Sequence, residues 1–239
     1  MNSIKNSSQL KSSARKYLSG HYSQVVLAQL FFIAFSALLS MLSATDPTAT
    51  IVSVVISFVI SYICTCNIEI LRFGLYRMYM NLCCGYRFSV RDMYYGFFVK
   101  TQRPTFLAVL LTSIQYLSML PFYILLFLYT ASKDTFLLTA TIISFLIGIF
   151  VYYILSLALS QSYFLLLDFP DKPLKEILKL SCWMMKGQKL RLFRLQLSFL
   201  PLMFLGILSC GVGLLWVTPY LNTTYTCFHL NLASAKAKE

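Results

Sequence analysis

The sequence predicts an all-α fold, a polytopic membrane helix bundle with six transmembrane helices and with amphipathic interfacial helices on its cytoplasmic side. Two features of the composition lead to this prediction. Hydrophobic residues make up 58% of the chain and charged residues 12%, and the mean hydropathy is +0.71. Soluble domains carry about 25% charged residues, which solvate their surface. Because this chain carries half that fraction, we expect most of its outer surface to face lipid.

Apolar runs of about 20 residues, the length that a bilayer core requires, recur along the chain. We place the six spans at residues 23–43, 50–70, 105–130, 136–160, 190–209 and 212–231. The polar segments before them predict interfacial helices at residues 5–18, 88–97 and 172–186. Residues 1–239 are expected to form a single integral membrane domain. A five-span alternative fuses residues 195–216 into one helix, but it leaves the apolar C-terminal stretch unplaced.

Breaker and capping residues mark the ends of these elements. Thr45–Thr48 is predicted to be a turn, and Lys133-Asp134 a tighter one. Pro104 suits the first turn of the third span, and Pro121 is expected to kink that span. Ser89–Gly96 predicts a capped short helix that ends at its glycine.

Positive charge is concentrated on one side of the predicted topology. Four basic residues lie in the N-terminal tail, six in a polar loop over residues 72–103, seven in residues 172–194 and two in the C-terminal tail. Lys133 alone falls on the opposite side. The positive-inside rule therefore predicts a multi-pass plasma-membrane protein with both termini in the cytoplasm. The net charge of +12 does not predict a nucleic-acid partner, because the charges cluster between apolar runs.

The basic segment at residues 172–186 is predicted to lie at the membrane surface. Its apolar side holds Leu174, Ile177, Leu178, Ser181, Cys182 and Met185. Its lysines fall mostly on the other side, which favours anionic lipids as partners. The residues predicted to contact anionic lipid are Lys172, Lys175, Lys179, Lys186, Lys189, Arg191 and Arg194.

Glu69 is the ionisable residue of greatest interest, because a carboxylate inside a span by default marks an ion or proton pathway. Its position three residues before Arg72 also fits an interfacial ion pair, which we favour. Polar amides recur near the cytoplasmic ends of spans two, four and six. The candidate cavity residues are therefore Glu69, Arg72, Asn67, Gln161 and Asn222. For the amides we favour hydrogen bonding between helices over a shared cavity.

Motifs for catalysis and metal binding are missing from the sequence. Gly206, Gly211 and Gly213 lack the lysine of a phosphate-binding loop, and His21 and His229 lack zinc-site spacing. There is no GxSxG motif, and the seven cysteines include no CxxC pair. We therefore expect no catalytic residue, no cofactor and no metal, and so a protein that is not an enzyme.

A unit made of a polar or basic helix and two apolar helices is predicted to occur three times. Lys11-Ser12-Ser13 matches Lys179-Leu180-Ser181, and, with a slip of one residue, Gly20, Gln29, Leu30 and Phe32 match Gly187, Gln196, Leu197 and Phe199. Ser89–Gly96 is a fainter third copy. Chance similarity of basic helices is the alternative explanation. A true repeat would form a pseudo-symmetric bundle, and such bundles often frame a pathway near mid-membrane.

Several short motifs lie mostly in the final third of the chain. They are Ser160–Tyr163, Leu178–Ser181, Met185–Gly187, Arg191–Phe193, Leu195–Phe199 and Gly211–Tyr220, with Gly74–Arg77 earlier. In these motifs the chain resembles an uncharacterised bacterial membrane family known as domain of unknown function 975. The resemblance implies a six-helix membrane protein and supplies no activity. The chain is also distantly similar to the membrane domain of some bacterial glycerophosphodiester phosphodiesterases, whose catalytic domain it lacks, so lipid chemistry is implied by analogy only.

Two functions are expected from these features. The first is a non-enzymatic accessory or protective factor in envelope transport or peptide defence, with a membrane protein as partner. It follows from the missing catalytic residues and the basic cytoplasmic face. The alternative is a small permease or lipid-handling carrier, with a cytoplasm-facing cavity near Glu69, Gln161 and Asn222.

Overall fold

The computed structural model describes residues 6–42, 51–99 and 102–236, and within these ranges the chain is helical and contains no strand. The helices are α1 (Ser7–Leu18), α2 (Tyr22–Leu42), α3 (Ile51–Cys84), a 3-10 helix (Val90–Tyr94), α4 (Tyr95–Phe98), α5 (Arg103–Ser132), α6 (Thr135–Leu159), α7 (Ser162–Asp168), α8 (Leu174–Met185), α9 (Lys189–Leu197), α10 (Leu200–Leu208) and α11 (Leu214–Lys236). The all-α prediction is confirmed. The predicted turn Thr45–Thr48 lies outside the described residues.

Five helical segments in the described part of the chain are long and apolar enough to cross a membrane. They are Tyr22–Leu42, Val52–Cys84, Arg103–Ser132, Thr135–Asp168 and Lys189–Leu208. They are compatible with a multi-pass membrane protein. The sixth predicted span, residues 212–231, forms helix α11, which falls outside this set. A membrane crossing by α11 therefore stays a prediction.

Helix α11 is less apolar than the other long helices because it is enclosed by protein. It packs against α1, α2, α3, α8 and α10. Its side chains Thr223, Thr224, Thr226 and His229 are fully buried. A side chain that faces another helix can be polar if it finds a hydrogen-bond partner there, whereas a side chain that faces lipid cannot.

Helix α3 continues as one helix well beyond the predicted end of the second span. The prediction of a polar loop is therefore wrong over residues 72–84. The arginines that suggested a loop have partners within the bundle. Arg72 pairs with Glu69 at 2.7 Å, and the guanidinium of Arg77 lies 3.3 Å from the ring centroid of Tyr95.

The hairpin of α5 and α6 follows the sequence prediction closely. Pro104 lies in the first turn of α5, and Pro121 lies inside that helix. Lys133 ends α5 with a left-handed φ of 54°. The carboxylate of Asp134 then accepts a hydrogen bond from the backbone amide of Phe136 at 3.1 Å, which caps the start of α6. The Lys133-Asp134 turn is thus confirmed.

The short helix before α5 is capped as predicted but ends later. The Ser89 hydroxyl accepts a hydrogen bond from the Arg91 amide, and the Asp92 carboxylate accepts one from the Ser89 amide, each at 3.0 Å. The prediction that the helix ends at Gly96 is wrong, because Gly96 lies inside α4. A Cβ atom there would lie 2.7 Å from the Ile70 carbonyl oxygen, so this position needs glycine for close packing.

The predicted fifth span is interrupted between α9 and α10. Pro201 lies in the first turn of α10, and a proline cannot donate a hydrogen bond to the turn before it. Lys11 of α1 stabilises the interruption. Its ammonium donates to the Ser198 carbonyl at 2.9 Å and lies 4.3 Å from the ring centroid of Phe199.

The buried core lies at one end of the bundle, which we call the packed end. Its buried hydrophobic residues fall within 10–28, 64–83, 93–108, 157–166, 177–199 and 227–232. In contrast, every described side chain of residues 52–63 in α3 and 113–132 in α5 is at least partly exposed. These exposed lengths carry large apolar side chains, as helices that face lipid do.

The segment from α1 to α2 and the segment from α8 to α9 have the same local structure. Helices α1 and α8 each have 12 residues. Each is followed by a type II turn, in which a positive φ at the third residue favours glycine. Ser19 (φ −60°, ψ 122°) precedes Gly20 (φ +90°), and Lys186 (φ −62°, ψ 121°) precedes Gly187 (φ +76°).

The buried positions of these two segments also coincide when the segments are aligned without a gap. The aligned pairs are Leu10 with Ile177, Ala14 with Ser181, Leu18 with Met185, Val25 with Leu192 and Ala28 with Leu195. Both members of each pair are buried. The alignment places Lys11 opposite Leu178, so the predicted match of Lys11 with Lys179 is wrong by one residue. The match of Gly20 with Gly187 holds.

The three predicted units pack in a cyclic order. The short helices of each unit contact the second long helix of the preceding unit. Thus α8 of the third unit contacts α6, the 3-10 helix and α4 of the second unit contact α3, and α1 of the first unit contacts α11. The contact of α1 with α11 closes the ring between the two ends of the chain. The first long helices follow the same order, since α5 contacts α3, α9 contacts α6 and α2 contacts α11. This order supports the predicted pseudo-symmetric bundle.

The contact between α3 and the 3-10 helix depends on Gly74. A Cβ atom at this position would lie 2.0 Å from the Met93 carbonyl oxygen, which belongs to the backbone and cannot rotate away. We expect Gly74→Ala to destabilise the fold by about 3 kcal/mol or more, the upper end of overpacking effects. Thermal unfolding in detergent measures this as a lowered midpoint. Ala34→Val, on an exposed face of α2, is the control, and equal midpoints for the two variants would contradict the expectation.

Candidate functional site

A cavity of about 150 Å³ lies at the packed end, between α3, α5, α6, α7, α9 and α11. All three units contribute to its walls. The charged and amide residues that line it are Glu69, Arg72, Gln115, Gln161 and Gln196. A dry cavity of this size holds a benzene-sized molecule, and a polar one holds a few waters. The site is therefore large enough for a small ligand or for one headgroup.

The carboxylate of Glu69 is satisfied at both oxygens. Oε1 lies 2.7 Å from Nη1 of Arg72, and Oε2 accepts a hydrogen bond from the Tyr163 hydroxyl at 2.7 Å. The Glu69 side chain is 9% exposed, whereas that of Arg72 is 40% exposed. Burial of a charge is tolerated when the charge is paired and hydrogen-bonded, as here. Arg72 is thus the charged group that a ligand in the cavity can reach.

Aromatic side chains form much of the remaining wall. The ring of Tyr76 lies 5.8 Å from that of Tyr163 and 4.8 Å from that of Phe164, measured between centroids. The Tyr153 hydroxyl donates a hydrogen bond to the side-chain oxygen of Gln196, and Tyr225 also lines the cavity. Packed rings and paired amides restrict side-chain rotation, so the wall is held in one arrangement.

His229 connects the cavity wall to the protein surface. Its Nδ1 lies 3.0 Å from Oε1 of Gln161, and its Nε2 lies 2.9 Å from Oδ2 of Asp168. The ring is fully buried and stacks on Phe164 with the ring centroids 4.8 Å apart. The Gln161 amide nitrogen donates to the Ser160 hydroxyl at 3.0 Å. The Asp168 side chain is 29% exposed, so polar contacts run from the cavity to the surface.

The structure places three of the five candidate cavity residues together. They are Glu69, Arg72 and Gln161. Asn67 lies elsewhere on α3, where its amide donates to the Ile63 carbonyl at 2.8 Å. Asn222 lies on α11 outside the cavity lining, and a hydrogen bond from its side chain to another helix stays a prediction.

Sequence reasoning did not identify Tyr163, Tyr225, Gln196 or His229 as parts of the site. Tyr163 had a signal, because it ends one of the motifs on which the family resemblance rests. His229 and Asp168 are 61 positions apart, and no spacing rule connects them.

The basic residues predicted to contact lipid lie around α8 and α9. Lys172, Lys175, Lys179, Lys186 and Arg194 are exposed, and Lys189 and Arg191 are partly buried. The apolar side of α8 packs against α6, α7 and α11. Ile177, Ser181 and Met185 are buried there, whereas Cys182 is exposed, against the prediction. Protein therefore covers most of this apolar side, and contact of the lysines with lipid stays a prediction.

Metal-binding groups do not gather in the described part of the chain. Within residues 6–42, 51–99 and 102–236 no three side chains of His, Cys, Asp or Glu come close enough to hold an ion. His21 packs edge-on against Phe88 with centroids 5.2 Å apart. The Sγ atoms of Cys83 and Cys227 lie 4.0 Å apart, too far for a disulfide bond.

Comparison with known families gives one match. A family model with the description "Protein of unknown function (DUF975)" matches residues 1–236. Comparison with curated proteins and with solved structures gives no match. The functional argument therefore depends on the geometry of the cavity.

The hydrogen bond from Tyr163 to Glu69 can be tested by Tyr163→Phe. The change leaves a buried carboxylate oxygen without its donor, which costs about 1–3 kcal/mol. We expect a lower thermal midpoint of the purified protein. Tyr86→Phe is the control, because Tyr86 is 69% exposed and its substitution should leave the midpoint unchanged. A midpoint of Tyr163→Phe equal to that of the wild type would contradict a role for this bond in holding Glu69.

Proposed function

We propose a function from the site, because the chain belongs to the family "Protein of unknown function (DUF975)", whose description assigns none. In this proposal the protein is a non-enzymatic membrane carrier that binds a small polar solute or a lipid headgroup in the cavity beside Glu69 and Arg72. It lies in the plasma membrane with both termini in the cytoplasm, as the one-sided basic charge favours. The observation that carries the proposal is an ion pair between a buried carboxylate and a partly exposed guanidinium, both of which line the cavity.

A buried carboxylate in a membrane protein supports a functional role. Charged groups within a bilayer are expensive, and they by default mark a binding site or a pathway. The Arg72 partner of this carboxylate is 40% exposed in its side chain, and both members of the pair line the cavity. The unused donors of the guanidinium are therefore open to a ligand.

The cyclic arrangement of the three units supports a carrier in particular. In many secondary transporters, repeated units meet near the membrane midplane, and the substrate site lies at their interface. Here the three units meet around the cavity, with Glu69 from the first, Gln161 from the second and Tyr225 from the third. Among the described residues, the lining includes two serines, Ser156 and Ser160, and neither a histidine nor a cysteine. This lining supports binding rather than nucleophilic catalysis, which needs a paired base.

Filling the cavity tests the proposal. In Ser156→Phe a ring enters the cavity from its wall on α6, whereas Leu155→Phe adds a ring at a neighbouring position outside the lining. Each variant is extracted from its own membrane into polymer-bounded lipid discs, without detergent, and studied by native mass spectrometry. We expect the wild type and Leu155→Phe to retain one bound molecule per chain, and Ser156→Phe to retain at least tenfold less.

Two results would contradict the carrier. One is equal retention by Ser156→Phe and Leu155→Phe, since the bound molecule would then lie outside the cavity. The other is a wild-type protein that retains no molecule and moves no solute or lipid in proteoliposomes. Retention of a second protein at equal stoichiometry would favour the accessory function instead.

The accessory function has one structural feature in its favour, the lysines of α8. The bundle covers most of the apolar side of α8. Lys175, Lys179 and Lys186 remain exposed and form a basic surface. We expect reversal of all three to glutamate to abolish association with a membrane protein partner or with anionic lipid. The exposed Lys133, on the predicted opposite side, is the control for reversal. Association that survives the triple reversal, measured by co-purification, would rule this function out.

A further inference from the structure

The cavity has a charge balance that selects among ligands. Among the described residues that line it, Glu69 and Arg72 are the two formally charged ones, and they are paired at 2.7 Å. The lining therefore has no net charge. A ligand with a net charge would bring an uncompensated charge next to the buried Glu69 carboxylate and its partner, which is unfavourable where water is partly excluded. A ligand with balanced charges avoids this penalty.

The two charges differ in what they still offer. Both oxygens of Glu69 already have a partner, and its side chain is 9% exposed. A guanidinium has five N–H donors in a planar fork, and one nitrogen of Arg72, Nη1, bonds to Glu69. Such a fork binds carboxylate and phosphate oxygens in pairs. Arg72 therefore provides the anchor for an oxyanion.

The cavity also offers groups that attract a positive charge on the same ligand. Tyr76, Tyr152, Tyr163 and Tyr225 line it, and tyrosine rings attract ammonium groups through their π faces. The remaining lone pairs of the Glu69 carboxylate add to this attraction. A lone oxyanion on Arg72 would be repelled by Glu69, whereas an ammonium attached to that oxyanion turns the repulsion into attraction.

We propose that the cavity binds a small zwitterion, with its oxyanion on Arg72 and its ammonium among the tyrosine rings beside Glu69. The inference depends on the proposed function and names its ligand class. A volume of about 150 Å³ fits a group in which about three to five bonds separate the charged nitrogen from a charged oxygen. Free α-amino acids and the headgroup of phosphatidylethanolamine share this chemistry.

Binding measurements on the wild-type protein test the charge balance. The protein is placed in nanodiscs of phosphatidylglycerol and titrated calorimetrically with three probes. L-Alanine carries both charges, propionate carries the negative charge alone, and ethylamine carries the positive charge alone. A second set of nanodiscs replaces phosphatidylglycerol with phosphatidylethanolamine. For a free solute we expect alanine to bind at least tenfold more tightly than either singly charged probe. For a lipid headgroup we expect phosphatidylethanolamine to raise the thermal midpoint by several degrees and to block alanine.

Glu69→Gln supplies a signature that a loss of folding cannot imitate. The change leaves Arg72 unpaired, so the cavity gains a net positive charge. The preference should then move at least tenfold from alanine towards propionate. Glu176→Gln, at an exposed position on α8, is the matched control and should keep the wild-type preference.

The binding and retention experiments distinguish failure of the zwitterion proposal from failure of the carrier proposal. The zwitterion is overturned if propionate binds as tightly as alanine and phosphatidylglycerol stabilises as well as phosphatidylethanolamine, or if no probe binds and neither lipid is preferred. In each case the retention of a molecule by the wild type but not by Ser156→Phe would still support the carrier. Equal retention by Ser156→Phe and Leu155→Phe would remove both proposals.

Discussion

The charge of Glu69 imposes the strongest constraint on the packed end. A buried carboxylate needs a counter-ion and hydrogen-bond donors, because their loss leaves an unpaired charge that costs several kcal/mol. Arg72 follows Glu69 by three residues in the same helix, α3, whereas Tyr163 comes from α7. The bond from Tyr163 to Glu69 therefore ties α7 to α3. Gln161, two residues before Tyr163, is held at the same wall, and through it His229 and α11 are joined to the site.

The contact of α1 with α11 has a comparable role for the bundle as a whole. A 12-residue helix is marginal by itself in water, so α1 depends on burying its apolar side. Leu10, Ala14 and Leu18 are buried, and a large apolar side chain contributes about 1.5–3 kcal/mol when fully buried. Lys11, on the same helix, reaches the interruption between α9 and α10. The N-terminal helix thus closes the ring of units and supports the least regular part of the final hairpin.

Sequence patterns are sufficient to predict features formed by residues that lie close together in the chain. The cap at Ser89, the turn at Lys133 and the pair of Glu69 with Arg72 each involve residues within four positions of one another, and all were predicted. Non-local contacts were beyond such reasoning. Arg77 looks like a loop residue because its aromatic partner, Tyr95, comes after the loop. The cavity is predicted from Glu69 and the recurring amides, of which Gln161 lines it and Asn67 and Asn222 do not. Its tyrosine wall, gathered from α3, α6, α7 and α11, left no pattern in the sequence.

The asymmetry between the two ends of the bundle limits how a ligand reaches the cavity. Beyond the packed end, α3 and α5 expose apolar side chains along residues 52–63 and 113–132, and in a bilayer these lengths meet acyl chains. On the packed side, polar groups continue from Gln161 through His229 to the partly exposed Asp168. Polar groups lose favourable hydration when they cross an apolar region. For the proposed carrier we therefore expect a polar ligand to reach Arg72 from the packed side, and an attached acyl chain to extend along the apolar one.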